Sequence, residues 1–256
     1  MKINGINLNF TEAGETNQGV RPTLPFLHYF GGSARSWREV TANLEKDFHC
    51  VALDQRGFGD SQNPAASYQL KDYADDAAAL VRTLELENFA LVGHSMGGKI
   101  ALLYAARAPS GLRSLILIAP SPPSPEPMTE SERQKMLTTH GTRRAAAAAV
   151  ENAVARKLPP EIFERAVADN LKGGEVAWKA WLEVGSREDF SGRIAVVKTP
   201  TLVIAGEQDE TMTADLLTRE IVEKINEARL VVLKNAKHLL PYEAANEIAG
   251  AIAEFV

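Results

Sequence analysis

The stretch Phe89-Ala90-Leu91-Val92-Gly93-His94-Ser95-Met96-Gly97-Gly98 decides how the chain is folded. It opens with a short β-rich apolar run and continues into a G-x-S-x-G pattern. From Met96 to Ala108 the apolar residues are then spaced like those of a one-sided helix. A serine at such a junction sits on a tight strand-to-helix turn. Gly93 and Gly97 remove side chains that would collide where strand and helix close on it, so Ser95 is projected above the sheet. The helix aims its N-terminal amides and the positive end of its dipole at negative charge developing beside Ser95. Alternatively Ser95 only caps a Gly-rich helix start. The strand before it and the helix after it favour a nucleophile.

Outward from this turn, short apolar runs alternate with helical patterns, which implies helices covering a mostly parallel, doubly wound α/β sheet. Buried strands are expected at Thr23–Phe30, His49–Leu53, Phe89–Val92, Leu115–Ala119, Thr201–Ala205 and Leu230–Leu233, after an opening hairpin over Ile3–Glu12. One-sided helices are expected at Ser33–Asp47, Leu70–Glu85, Met96–Ala108, Ala214–Asn226 and Pro241–Val256. Residues 121–199 break the rhythm, holding no convincing strand. They open with Ser121-Pro122-Pro123-Ser124-Pro125-Glu126-Pro127, which reads as a stiff linker leaving the sheet. Helical patterns follow at Thr129–Thr139, Arg143–Lys157, Glu161–Leu171 and Glu175–Ser186. The expected organisation is a core of residues 1–120 and 200–256 with an all-helical cap, or lid, inserted at 121–199. A structureless connection of that length would be out of place in a compact domain.

A serine hydroxyl needs a base, and the chain offers five histidines. His49 falls at a strand start, His140 in the helical insertion, His28 at the end of an early strand, and His94 on a strand that turns it away from the nucleophile. His238 follows the strand Leu230–Leu233 in a short loop, at the sheet edge where strand C-termini gather. The acid that orients it belongs at another strand end between Ser95 and His238. Asp209 fits, because Thr201–Ala205 runs into a bend at Gly206, with Glu207 and Glu210 as weaker rivals. After the preceding strand the chain reads Ala119-Pro120-Ser121 and offers no acid there. Two backbone amides should face the oxyanion: that of Met96, and that of Phe30 in the turn His28-Tyr29-Phe30-Gly31-Gly32, which His28 would hold.

These segments, with Asp54-Gln55-Arg56-Gly57-Phe58-Gly59-Asp60-Ser61 read as a D-x-R-G-x-G-x-S turn, resemble the α/β-hydrolase superfamily over nearly the whole chain. The likeness is to capped esterases and lactonases grouped with epoxide-hydrolase-like and haloperoxidase-like members. It implies the α/β-hydrolase fold and a Ser95, Asp209, His238 triad with Phe30 and Met96 as oxyanion donors. The turn over Asp54–Ser61 is expected to be scaffold, with Asp60 or Ser61 capping local amides. Two residues depart from the pattern, Tyr29 in place of a glycine and Lys237 in place of a small residue. A serine where dehalogenases and epoxide hydrolases need a carboxylate argues against both of those reactions.

The remaining composition narrows the partners. With 28 Lys plus Arg against 33 Asp plus Glu, the net charge of −5 offers nothing to phosphate backbones or anionic lipid, so neither nucleic acid nor membrane is expected. There is no signal-peptide-like start and no apolar run near ~20 residues, which predicts a soluble, cytoplasmic chain. The lone Cys50 reads as strand packing. No H-e-x-x-H, paired Cys/His or Walker pattern occurs, so neither metal nor cofactor is expected. The expected activity is serine carboxylic-ester hydrolysis on a small to medium ester, with Tyr29, Met128, Trp178 and Trp181 as candidate pocket walls. Lactone hydrolysis, perhydrolysis and C–C cleavage use the same groups. A ligand-binding protein that keeps the fold without turnover is a remoter alternative.

Overall fold

Strand formation follows burial. In the computed structural model, which describes residues 1–256, β1 (Lys2–Ile3) and β2 (Ile6–Asn7) form a small separate hairpin. Strands β3 (Phe10–Ala13), β4 (Leu24–Leu27), β5 (Cys50–Leu53), β6 (Phe89–His94), β7 (Leu112–Ile118), β8 (Thr201–Gly206) and β9 (Ala228–Leu233) make one sheet. Its order is β3-β5-β4-β6-β7-β8-β9. Only β3 runs antiparallel to its neighbour. Every residue of β4, β5, β6 and β8 is buried, as expected of strands covered on both faces, whereas the edge strand β9 exposes Val231 and Val232. From β4 the chain moves to β5 on one side and then crosses to β6 on the other. The loops after β4 and β6 therefore meet where strand order reverses, the crevice in which open α/β sheets bind ligands.

Helix α1 (Arg38–Leu44) packs against the C-terminal α10 (Ala245–Phe255), and α2 (Leu70–Thr83) against α3 (Met96–Ala105). All ten residues of α3 are buried, so the helix after Ser95 is central to the core. Between β7 and β8 lie α4 (Glu130–Thr139), α5 (Arg143–Asn152), α6 (Pro160–Lys172) and α7 (Glu175–Glu183), with no strand among them. Their starts are set locally. The Thr129 hydroxyl accepts from the Glu132 amide and the Glu132 carboxylate accepts from the Thr129 amide, a capping box, while Pro160 opens α6 at a position that needs no N–H. No helix is long and apolar enough to cross a membrane.

Several boundaries differ from the sequence reading for physical reasons. The Ile3–Glu12 hairpin is shorter than expected: Asn4 and Gly5 take left-handed φ values of 49° and 84°, turning the chain after two residue pairs, and Phe10–Ala13 instead joins the main sheet. The helix expected over Arg143–Lys157 stops at Asn152, because the carbonyl of Ala153 and the amide of Ala155 are taken by the C-terminal region. Pro241–Val256 divides into α9 (Leu240–Glu243) and α10 at Ala244, whose φ of −139° is not helical. Ala214–Asn226 becomes α8 (Ala214–Leu217) followed by a wider π turn.

In the turn after β5 the capping carboxylate is Asp54, not Asp60. Its Oδ1 accepts from the Ala34 amide at 2.6 Å and its Oδ2 from the Asp60 amide at 2.8 Å, so the turn is tied to the start of the helical segment that follows β4. Ser61 does cap an amide, that of Asn9 at 2.8 Å, while the Asp60 side chain pairs with Lys172 at the surface. The neighbouring Arg56 makes a buried two-pronged pair with Asp76 of α2, both contacts at 2.6 Å.

Candidate active site

β6 ends in Gly93-His94, and Ser95 then adopts φ 53° and ψ −116°, a conformation that is strained for any residue with a side chain. A Cβ at Gly93 would stand 2.4 Å from the carbonyl oxygen of Gly97, and one at Gly97 would stand 2.3 Å from that of Leu27, so both positions admit only glycine. The Ser95 side chain does not cap α3. Its Oγ lies 2.9 Å from Nε2 of His238, which disposes of the N-cap alternative.

His238 Nδ1 lies 2.7 Å from Asp209 Oδ2, and the other carboxylate oxygen accepts from the amides of Thr211 at 2.9 Å and Met212 at 3.0 Å. Burial pushes the Asp209 carboxyl up, but the hydrogen bond and charge of His238 and the two amides outweigh it and hold the group at about 2. An ionised Asp209 requires the proton on Nδ1, which leaves Nε2 as the acceptor facing Ser95. Neither Glu207 nor Glu210 takes this place: Glu207 accepts from the Asn235 amide, and Glu210 pairs with Lys237.

The His238 backbone is fixed from two sides. Its amide and that of Leu239 both donate to the carbonyl of Ala153, each at 3.0 Å, and its own carbonyl accepts from His94 Nε2 at 2.8 Å. His94 is thus turned from the nucleophile, as its strand position implies, yet its ring packs 5.4 Å from that of His238. Burial, followed by the His238 charge, pushes the His94 imidazole down to about 3. In the unfolded chain the same group titrates near its ordinary 6.5. Its contribution to stability is therefore full above pH 6.5 and is lost as pH falls toward 3, by up to about 1.4 kcal/mol per pH unit. Unfolding free energies from urea titrations between pH 6 and 4.5 should fall less steeply in His94→Gln than in wild type. Equal slopes would remove His94 as the titrating group.

The loop after β4 is held by His28, whose Nδ1–H donates to the Tyr29 carbonyl at 2.7 Å and whose Nε2 accepts from the Gln55 amide at 3.1 Å. The Phe30 amide has no backbone acceptor, and the Met96 amide, first in α3, has none within its helix. Phe30 and Ser95 line the same cavity, and Met96 directly follows Ser95 in the chain. Tyr29, in place of glycine, sends its ring against His94 and Tyr242, whose hydroxyl donates to Ser36 Oγ at 3.0 Å. Gly32 makes room, since a Cβ there would stand 2.7 Å from the Tyr29 ring.

A cavity of about 320 Å³ opens on Ser95, Asp209 and His238. Tyr29, Phe30, Met128, Trp178 and Trp181 all line it, and the Phe30 ring packs on Trp178 with centroids 4.2 Å apart. Among the polar lining residues not expected from the sequence are Glu126, His140 and Asn170. His140 stacks on Trp178 at 4.2 Å and meets the Gly173 carbonyl through Nε2 at 3.0 Å. Glu126 lies in the Pro-rich run, where composition suggests a spacer and conceals a pocket wall.

The strand order, the turn at Ser95 and the position of the three side chains define the class of protein. Residues 22–164 match the model of the alpha/beta hydrolase fold family, and the chain belongs to that family. It is 29% identical over 257 residues to the AB hydrolase superfamily protein YisY of Bacillus subtilis, covering 92% of this chain and 91% of that one. Over 116 residues it is 36% identical to 2-(acetamidomethylene)succinate hydrolase of Mesorhizobium japonicum, covering 45% of this chain and 40% of the relative. In fold it is similar to the enol-lactonase from Burkholderia xenovorans, with a TM-score of 0.86 and 24% identity over 100% of this chain and 98% of the other. It is similar also to the bromoperoxidase from Bacillus anthracis, at 0.88 and 19% over 98% and 95%. Family membership and these hydrolase relatives support a hydrolytic enzyme.

Proposed function

We propose that the protein is a serine carboxylic-ester hydrolase acting on a small to medium ester through an acyl-enzyme, with residues 121–199 as a helical cap over the site. The observation that carries this is the relay of two short contacts, Ser95 Oγ to His238 Nε2 at 2.9 Å and His238 Nδ1 to Asp209 at 2.7 Å. Ser95 Oγ attacks the ester carbonyl as its proton passes to Nε2, and Asp209 stabilises the imidazolium. The Phe30 and Met96 amides receive the oxyanion. The proton then moves to the departing alcohol. Water, deprotonated by His238, cleaves the acyl-enzyme and returns Ser95 to its hydroxyl form with release of the acid.

The cap would supply Met128, Trp178 and Trp181 to the pocket and so set acyl preference. A lactone is the cyclic case of the same reaction, and the likeness to an enol-lactonase supports including it. The test is hydrolysis of a chain-length series of p-nitrophenyl esters alongside simple lactones. Turnover is expected to peak at short to medium acyl chains and to decline as the chain outgrows the 320 Å³ cavity. Absence of turnover by folded protein across the series would reject the assignment.

A further inference from the structure

Glu126 places a carboxyl in the wall of the cavity that holds Ser95 and His238. One of its oxygens, Oε1, accepts from the Ser121 hydroxyl, and its backbone amide donates to the Ser186 carbonyl at 2.8 Å, so the side chain is anchored at both ends. Oε2 has no protein partner and is not sealed from solvent. The nearby cations are committed elsewhere. Lys99 donates to the carbonyls of Ser124 at 3.0 Å and Glu188 at 2.8 Å, and Arg133 donates to the Leu182 carbonyl and to Ser186 Oγ. No arginine lines the cavity, and its one lysine, Lys237, has its ammonium 3.3 Å from Glu210. A carboxylate entering this cavity would find an anchored carboxyl and no uncommitted cation, whereas an ammonium would find an acceptor.

Building on the ester-hydrolase assignment above, we infer that Glu126 sets charge specificity: the site selects esters bearing a cationic group over neutral ones, and neutral ones over those bearing a second carboxylate. Glu126 is a specificity residue and takes no part in bond making. This separates the chain from a relative named for hydrolysis of a succinate derivative, despite their shared sequence.

Two matched sets of esters, assayed at pH 8 because burial holds the Glu126 carboxyl above its ordinary range, test the inference from both sides of the ester bond. On the alcohol side these are butyrylcholine, 3,3-dimethylbutyl butyrate and 4-(butyryloxy)butanoate. On the acyl side they are the p-nitrophenyl esters of 4-(trimethylammonio)butyrate, hexanoate and adipate. In at least one set kcat/KM should fall about tenfold from cationic to neutral and about tenfold again to anionic, the effect of one charge a few ångströms away in a partly solvated cavity. Glu126→Gln keeps an acceptor for Ser121 and should compress that span at least tenfold. A residue that only supports the loop would lower all three rates together.

A span unchanged in Glu126→Gln, or a wild type that prefers the anionic ester, would overturn the inference. If the neutral esters are not hydrolysed, or are hydrolysed equally by Ser95→Ala, the esterase assignment fails instead. The charge order is then read by titrating Ser95→Ala with choline, 3,3-dimethylbutanol and 4-hydroxybutanoate. The same ranking, flattened when Glu126→Gln is added, would uphold the role of Glu126, and a ranking indifferent to Glu126 would reject it.

Discussion

Ser95→Ala should lower kcat for ester hydrolysis by about 10⁴- to 10⁶-fold while the protein stays folded, because the hydroxyl bonds only His238 and supports nothing else. A fluorophosphonate should label the wild type once per chain and fail to label this variant. Adding His238→Ala should lose little more, since the two residues act as one unit and a nucleophile that is already gone has no use for its base. Asp209→Asn should cost about 10⁴-fold with geometry nearly intact, because an amide no longer enforces the proton on Nδ1. Multiplicative losses in the Ser95 and His238 double variant would show that they do not work together.

Gly206→Ala should reduce kcat by about 10²-fold without touching any of the three reacting side chains. A Cβ at Gly206 would stand 2.1 Å from the Lys237 carbonyl oxygen and 2.7 Å from that of Ala236, so the loop carrying His238 must retreat by about 1 Å. Retreat lengthens the contact to Ser95 and strains the amides donated to Ala153. Stability should also fall, by about 1–3 kcal/mol for an overpacked site. Gly250→Ala is the control, because nothing lies within 4 Å of the added carbon. Rates in Gly206→Ala equal to that control would mean the loop relaxes away from His238 and does not set its position.

How legible the molecule is depends on whether a feature is local. The parallel strands can be read because each is a continuous buried run, and the structure brings Ser95, Asp209 and His238 within hydrogen-bond distance because each was placed by its own strand end. The early hairpin is harder, since its register turns on the φ of two residues, Asn4 and Gly5, and not on alternation. The tie of His94 to the His238 carbonyl joins positions 144 residues apart through a backbone atom that no side-chain pattern encodes. Glu126 fails to stand out for a related reason. A Pro-rich composition describes how stiff a segment is and not where it is led, and here it leads along the wall of the cavity.

The double hydrogen bond from the His238 and Leu239 amides to Ala153 means that the inserted helices and the base share a support. Exchanging residues 121–199 for the corresponding segment of a relative, a tempting route to new substrates, would therefore replace part of the mounting of the histidine along with the pocket walls. A chimaera that retains the α5–α6 connection around Ala153 and varies only α4 and α7 should shift substrate preference at nearly constant kcat. One that replaces the whole insertion must rebuild that acceptor before any gain in selectivity can be seen.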